Sequence, residues 1–201
     1  MTVALAPREP ADRAPPRGEL DDVTLARAQR GDAPAWRALV ERHQGAVFAL
    51  LGRLLGGGRR AAIEDLAQET FLAVFRQLPA FQPQGPARLS TWILTIASRR
   101  AIDELRRRPA SPIAADDIAA RPAAGGDRGD DTLERRRLAT AIDRALAELA
   151  PEYRAAFVLR ELHGLEYADI ARALEIDLGT VKSRLARARA ALRAALAEVK
   201  P

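Results

Sequence analysis

Residues 180–193 combine cationic and small side chains at helical spacing, a pattern suited to contact with a polyanion. At about 100° per residue, the apolar side chains form one stripe of a helix, made of Val181, Leu185, Ala188 and Leu192. Ser183 and Arg187 lie roughly opposite this stripe, and Lys182 and Arg184 flank that outer face. Cations bind phosphate oxygens, and small residues allow close approach to base edges. The pattern therefore predicts a DNA-binding helix.

The residues before this helix complete a helix-turn-helix pattern. Residues 167–174 carry apolar side chains at helical spacing, residues 175–178 interrupt the period, and a glycine then offers a bend. The hydroxyl of Thr180 is placed to cap the next helix. In helix-turn-helix proteins the second helix lies in the major groove of DNA. The alternative is a solvated basic face on a bundle helix, but solvated faces usually mix charges, and residues 178–197 contain no acid.

The stretch EYADIARALEIDLGTVKSRLARAR resembles the DNA-binding end of bacterial extracytoplasmic-function (ECF) sigma factors. In that family the matching residues contact the minus-thirty-five promoter element, and in this sequence they are Thr180, Lys182, Ser183, Arg184 and Arg187. Because Ser183 and Arg187 point away from the apolar stripe, we expect them to contact bases. We expect the flanking Lys182 and Arg184 to bind phosphates. Glu166 stands where the family usually has a Ser or Thr cap, so the first helix of the pair should begin less firmly.

A second resemblance lies in the predicted helix Ile63 to Leu78. Its sequence reads as an ordinary amphipathic helix, with one apolar and one polar face. Within it, DLAQETF is similar to the segment with which sigma factors dock on the clamp of RNA polymerase. The resemblance implies that four polar residues of this helix face the polymerase, namely Asp65, Gln68, Glu69 and Arg76.

The next segment resembles the part of sigma factors that meets the minus-ten promoter element. A loop from Phe81 to Ser90 precedes a predicted helix that runs to about Arg108, with the pattern LSTWILTIASRRAID. In the family, the loop captures a base flipped from the melted strand, a task that requires aromatic faces and cations. The implied minus-ten contacts are Phe81, Arg88, Trp92, Ser98, Arg99 and Arg100. Arg99 stands where the family most often has Asn, and Leu89 where it often has Phe, so the family's minus-ten sequence preference is not carried over to this sequence.

The composition excludes several kinds of site. Among 201 residues with a net charge of +5 there is no Cys, so disulfides and thiolate metal sites are ruled out. Two His leave little material for a zinc site, and we expect no metal and no cofactor. The first residues lack the layout of a signal peptide, and no run of eighteen apolar residues occurs. These features predict a cytoplasmic protein without membrane insertion.

The predicted fold is all-α, with two small four-helix domains joined by a flexible linker. Residues 1–19 are rich in Pro and charge and are expected to form a disordered tail. Residues 20–108 would be the domain that binds core polymerase and the minus-ten element, and residues 109–132 an acidic linker rich in Pro, Gly and Ala. Residues 133–201 would form the domain with the helix-turn-helix.

These patterns predict an ECF-type sigma factor that binds core RNA polymerase and promoter DNA and is held inactive by an anti-sigma factor. The alternative is a helix-turn-helix repressor or activator that works without polymerase, which would leave DLAQETF and the LSTW helix without a role. An enzyme is not expected, because no nucleophile, metal-ligand or phosphate-loop motif appears, and neither is a small-molecule substrate.

Overall fold

A computed structural model describes residues 19–56, 59–107 and 129–197, with side chains from residue 139 onward in the last range. The described residues form helices and connecting turns and contain no strand, which confirms the all-α prediction. The predicted disordered tail, residues 1–19, and the predicted flexible linker, residues 109–132, lie outside the described ranges except for residue 19 and residues 129–132. Residues 129–132 are helical, so the linker prediction extended four residues too far.

The first domain contains α1 (Asp22–Gln29), α2 (Ala33–Leu55), α3 (Arg60–Gln77) and α4 (Leu89–Arg107), with a 3-10 turn after α3. Carboxylates cap the first two helices, because Asp21 accepts from the Thr24 amide at 2.8 Å and Asp32 from the Ala35 amide at 2.9 Å. Each cap satisfies a backbone donor that has no partner inside its helix. The local sequence thereby fixes where both helices begin.

The core of the first domain is formed by the apolar stripes of α2, α3 and α4. Leu39, Leu50 and Leu54 of α2 are fully buried, as are Val74 of α3 and Ile93 of α4. Thr70 is also buried, and its hydroxyl donates to a backbone carbonyl one turn earlier. Burial of each large aliphatic side chain contributes about 1.5–3 kcal/mol, so these stripes hold the outward faces of α3 and α4 in place.

The second domain contains α5 (Gly129–Glu148), α6 (Pro151–Phe157), α7 (Tyr167–Leu174) and α8 (Leu178–Ala197). A π-helical turn, Val158–Leu162, extends α6, and Gly164 ends it with a φ of +67°. Helix α5 begins at Gly129, four residues before the predicted start of the second domain at residue 133.

His163 lies at the end of this extended helix. Burial, and then the nearby charge of Arg53, lower its pKa from 6.5 to about 4. Its Nε2 is buried and has no hydrogen-bond partner in the protein. The imidazole is therefore neutral at physiological pH and acts as a packing residue.

The two domains contact each other. Helix α7 packs on α4, and α6 touches both α2 and α4. Arg154 of α6 is only 3% exposed, and its Nη1 donates at 2.7 Å to the carbonyl of Leu54 near the end of α2. Its Nη2 donates to the carbonyls of Ala147 and Leu149 in its own domain. Carbonyls at a helix end lack helical partners, so one buried guanidinium satisfies groups from both domains.

Candidate nucleic-acid and protein interfaces

Helix α8 begins one turn earlier than the sequence suggested, because its cap is Asp177 rather than Thr180. The Asp177 carboxylate accepts from the Thr180 hydroxyl at 2.6 Å and from the Thr180 amide at 2.8 Å. These two hydrogen bonds lower the pKa of Asp177 and keep the carboxylate charged. Thr180 is thus held in the first turn, with its hydroxyl already engaged.

The two faces of α8 are disposed as the sequence predicts. Its apolar stripe is buried and consists of Val181, Leu185, Ala188 and Leu192. On the opposite side Lys182, Ser183 and Arg187 are exposed, and Arg184 is partly exposed. The Ser183 hydroxyl donates to the Thr180 carbonyl at 3.0 Å, and Arg187 donates to the hydroxyl of Tyr153 at 2.9 Å. The helix thus presents a cationic surface, on which Arg189 is paired with Glu161 of the π-helical turn at 2.6 Å.

Among the predicted minus-ten residues in the middle of α4, Arg99 and Arg100 lie at the surface and Ser98 is buried. Arg99 is exposed, and Arg100 forms a 2.7 Å ion pair with Glu69 of α3. Ser98 is fully buried, and its hydroxyl donates to the Thr95 carbonyl at 3.0 Å. It shares the inner face of α4 with the buried Leu94, one turn away. The prediction that Ser98 contacts DNA is therefore corrected.

The loop before α4 is anchored at both ends. The rings of Phe81 and Trp92 pack with centroids 5.0 Å apart, and both side chains are half-buried. At the start of the loop, the Gln29 side-chain amide donates to the carbonyl of Phe81 at 2.7 Å. At its end, the Glu19 carboxylate accepts from the amide and the hydroxyl of Ser90. Phe81 and Trp92 are thus held together as one aromatic cluster, and Arg88 is exposed nearby.

Helix α3 exposes all four residues predicted to face the polymerase, Asp65, Gln68, Glu69 and Arg76. Beside them lies an exposed apolar patch. Leu72 is 55% exposed, Phe75 49% and Phe48 of α2 40%. Phe75 packs edge-on against Trp36 of α2, with ring centroids 5.0 Å apart. The helical spacing of apolar residues could not predict that these aromatic side chains are exposed, because they lie at the edge of the apolar stripe.

The patch lines a groove of about 430 Å³ between α2 and α3. Its walls are formed by Trp36, Val40, Gln44, Phe48, Ala67, Gln68, Phe71, Leu72 and Phe75. Exposed clusters of aromatic and aliphatic side chains with a polar rim are typical of protein-binding surfaces. Gln68 belongs both to this groove and to the polar set on α3, so the two features form one continuous surface.

Neither a metal site nor a membrane-spanning helix occurs in the part of the chain that the structure describes. Those residues contain no cluster of three or more His, Asp or Glu that could hold a metal ion. None of their helices is both long enough and apolar enough to cross a membrane.

Comparison with known proteins decides the family. Sigma-70 region 2 matches residues 39–110, and sigma-70 region 4 matches residues 139–192. The ECF RNA polymerase sigma-E factor of Haemophilus influenzae is 34% identical over 177 residues, which cover 84% of this chain and 91% of that protein. The chain belongs to the ECF family of RNA polymerase sigma factors. The region 4 match contains the cationic face of α8, and the region 2 match contains α3 and α4.

Further similarities agree with this assignment. The sigma factor SigE of Mycolicibacterium smegmatis is 36% identical over 192 residues, covering 94% of this sigma factor and 71% of that protein. A solved structure of CnrH in complex with the cytosolic domain of CnrY is similar with a TM-score of 0.61 and 26% identity. That match covers 89% of this chain and 97% of CnrH. As a sigma factor, the protein binds core RNA polymerase and promoter DNA and has a regulatory role, so the polymerase-independent regulator is set aside.

Proposed function

We propose that α3 and the adjoining apolar groove form the surface of this sigma factor that docks on core RNA polymerase. The observation that carries this proposal is the continuity of Asp65, Gln68 and Glu69 with the exposed Leu72 and Phe75. The inner face of the same helix is buried in the core, so its outer face is available to a large partner. An apolar centre with charged neighbours is the composition expected of a stable protein interface.

The minus-ten element is assigned to the loop before α4 and to the outer face of that helix. Phe81 and Trp92 offer aromatic surfaces for an unstacked base, and Arg88, Arg99 and Arg100 offer cations for the strand backbone. Ser98 has no place in this surface because it is buried. The aromatic pair beside these cations supports binding of a melted strand, because unstacked bases are held on aromatic faces.

The minus-thirty-five element is assigned to α8. Arg187 and Ser183 lie opposite the buried stripe, in the position from which a recognition helix reaches base edges. Lys182 and Arg184 lie at the sides and are assigned to phosphates. Thr180 completes the set at the start of the helix, next to its cap.

The remaining assignments follow from this role. The chain would act in the cytoplasm beside the chromosome, without enzymatic activity of its own, because the polymerase carries out RNA synthesis. An anti-sigma factor is proposed as its inhibitor. The family resemblance implies such a partner, and the sigma factor RpoE of Bartonella quintana, which shares the fold, was solved in complex with the anti-sigma factor NepR.

Transcription in vitro tests the proposed function. The purified chain is mixed with core RNA polymerase and a template that carries its own upstream region, and run-off transcripts are mapped. We expect transcripts from a defined start that neither component yields alone. We also expect tight promoter binding only when the polymerase is present. Equally tight and specific binding by the chain alone, without any transcript, would refute the assignment.

A further inference from the structure

Two side chains that precede α2 in sequence hold the loop assigned above to an unstacked base. At the start of the loop, Nε2 of Gln29 donates to the carbonyl of Leu78 at 3.1 Å and to the carbonyl of Phe81 at 2.7 Å. At its end, the Glu19 carboxylate accepts from the amide of Ser90 at 3.3 Å and from the hydroxyl of the same residue. Both ends of the loop are therefore held by side chains that lie far away in sequence.

Glu19 provides a helix cap that the local sequence lacks. The residue immediately before α4 is Arg88, whose guanidinium has only donors and cannot accept from the free amides of a first helical turn. The Glu19 carboxylate accepts from one of these amides, that of Ser90, and its charge complements the positive end of the helix dipole. Because the cap comes from elsewhere in the chain, position 88 can carry the cation that was assigned to the DNA backbone.

Gln29 acts on the other end of the loop. Its side-chain amide has two N–H groups, which match the two carbonyls that it contacts. One of these, the Leu78 carbonyl, also accepts from the Phe81 amide at 3.0 Å, so Gln29 reinforces the turn that leads into Phe81. Helix α1 packs against the same 3-10 turn, and Gln29 is partly buried there.

Between these two anchors the loop closes in a tight turn. The amide of Gly85 donates to the carbonyl of Gln82 at 2.9 Å, and a Cβ at Gly85 would come within 2.9 Å of that carbonyl oxygen. The aromatic pair lies next to the anchors, because Phe81 is itself held and Trp92 follows Ser90 by two residues in the first turn of α4. The anchors therefore fix the backbone from which both rings project.

We propose that Glu19 and Gln29 are positioning residues for promoter melting, which hold the loop before α4 and its aromatic pair in the shape that receives a flipped base. In this role neither side chain contacts DNA. A pocket formed in advance loses less conformational entropy when a base enters it, so its shape favours the melted strand. The proposal rests on the proposed function, since it requires that this loop bind the melted minus-ten strand.

Glu19→Ala and Asp21→Ala form a matched pair of variants. Each deletes a carboxylate that accepts from an amide in the first turn of a helix, and each makes the same change of charge. Asp21 caps α1 at the end opposite to Gln29, and it lies outside every DNA-binding and polymerase-binding set named above. The comparison separates the loss of a helix cap in general from the loss of the cap that holds the loop. Thermal unfolding verifies that both variants are folded.

Two measurements on each holoenzyme report melting. One is its affinity for a fluorescent single strand that carries the minus-ten segment mapped in the transcription assay, and the other is the permanganate reactivity of promoter thymines. Relative to Asp21→Ala, Glu19→Ala should reduce both about fivefold, the factor that corresponds to the loss of one cap. Co-purification with core polymerase, and affinity for a duplex that carries only the minus-thirty-five element, should stay at the wild-type level. Equal effects of the two variants on melting would overturn the proposal.

Two further variants test the same role independently. Gln29→Glu keeps the shape of the side chain, but a carboxylate cannot donate to the two carbonyls, so it should impair melting with the same selectivity as Glu19→Ala. Glu19→Gln keeps an acceptor for Ser90 and should recover part of the loss. Wild-type melting in Gln29→Glu would exclude Gln29 from the positioning role. Failure of the proposed function is distinguishable, because the wild-type holoenzyme itself would then neither bind the single strand nor yield a transcript.

Discussion

The hydroxyl of Tyr153 on α6 accepts a 2.9 Å hydrogen bond from Nη1 of Arg187 on α8, and the guanidinium carbon lies 5.8 Å from the centre of the tyrosine ring. Arg187 belongs to the exposed face of the recognition helix. A guanidinium has five N–H donors in a fixed plane, so one contact to Tyr153 leaves the others available for a base. Tyr153 therefore restricts the orientation of the side chain most favourably placed to read sequence.

The first prediction concerns base readout. Arg187→Ala should cost about 1–3 kcal/mol at the cognate minus-thirty-five element and relax preference at one or two base pairs. Tyr153→Phe keeps the ring but removes the acceptor, so it should cause a smaller loss of preference at the same base pairs. The measurement is transcription from a set of promoter variants with each mutant holoenzyme.

The double variant is the control for this assignment. In the Arg187→Ala background, Tyr153→Phe should have no further effect on promoter preference, since the group that it orients is absent. If Arg187→Ala instead lowers transcription equally from all variants and preserves discrimination, Arg187 contacts the phosphate backbone.

The second prediction concerns Lys182, which lies to one side of the same helix. Lys182→Ala should weaken binding to every promoter variant to a similar degree, because phosphates carry no sequence information. It should also reduce the slope of log affinity against log salt by roughly one. Holoenzyme binding to promoter DNA at several salt concentrations measures both effects. A loss confined to particular base pairs would place Lys182 among the base-reading residues.

The third prediction concerns docking on the polymerase. Replacing Gln68 and Glu69 by Arg should abolish co-purification with core polymerase, and Leu72→Ala should weaken it by removing an exposed apolar contact. Folding should be little affected, since these side chains are exposed and the ion pair of Glu69 with Arg100 lies at the surface. Co-purification and thermal unfolding are measured together.

Glu148→Arg provides the control for docking, because it makes the same charge change as Glu69→Arg at an exposed position of the other domain. It should leave polymerase binding intact. Retention of polymerase by a folded Gln68→Arg, Glu69→Arg variant would exclude α3 as the docking helix.

The sequence predicted most reliably those features that depend on residues close together in the chain. Helix α1, Asp22–Gln29, is set in this way, because its cap at Asp21 and its buried residues Leu25 and Ala28 lie within a few residues of each other. Ser98 was misplaced because it was carried over from the family resemblance together with Arg99 and Arg100, whereas its orientation follows from the buried stripe of α4. Assignment of the cap to Thr180 failed for a related reason, since the stronger acceptor, Asp177, lies one turn earlier.

Contacts between distant segments were beyond the reach of sequence patterns. The sequence of the helix around Arg154 shows no unusual pattern. Its guanidinium nevertheless donates to the carbonyl of Leu54, one hundred positions earlier in the other domain. Tyr153 likewise meets Arg187 only because α6 packs on α8. The exposure of Phe75 depends on how α2 and α3 pack against each other, which the apolar period of a single helix cannot show.

The last prediction concerns pH and rests on His163. Burial, together with the charge of Arg53, lowers its pKa from the ordinary 6.5 to about 4. As pH falls below 6.5, the unfolded chain binds a proton at this residue before the folded chain does. The free energy of unfolding should therefore decrease between pH 6.5 and about 4 and then level off with respect to this group. The two pKa values limit the loss to about 3 kcal/mol.

Denaturant unfolding at several pH values between 7 and 4, for the wild type and for His163→Gln, measures this effect. The variant should lose much of the pH dependence in that window. The pKa of the buried His43 is also lowered by burial, so its protonation in acid also lowers the free energy of unfolding. The single variant His43→Gln therefore measures the part of the pH dependence that His43 contributes. The capping carboxylates of Asp21, Asp32 and Asp177 have pKa values below the ordinary 3.8 and contribute only in stronger acid. An unchanged pH profile in His163→Gln would show that protonation of this imidazole costs the folded protein nothing.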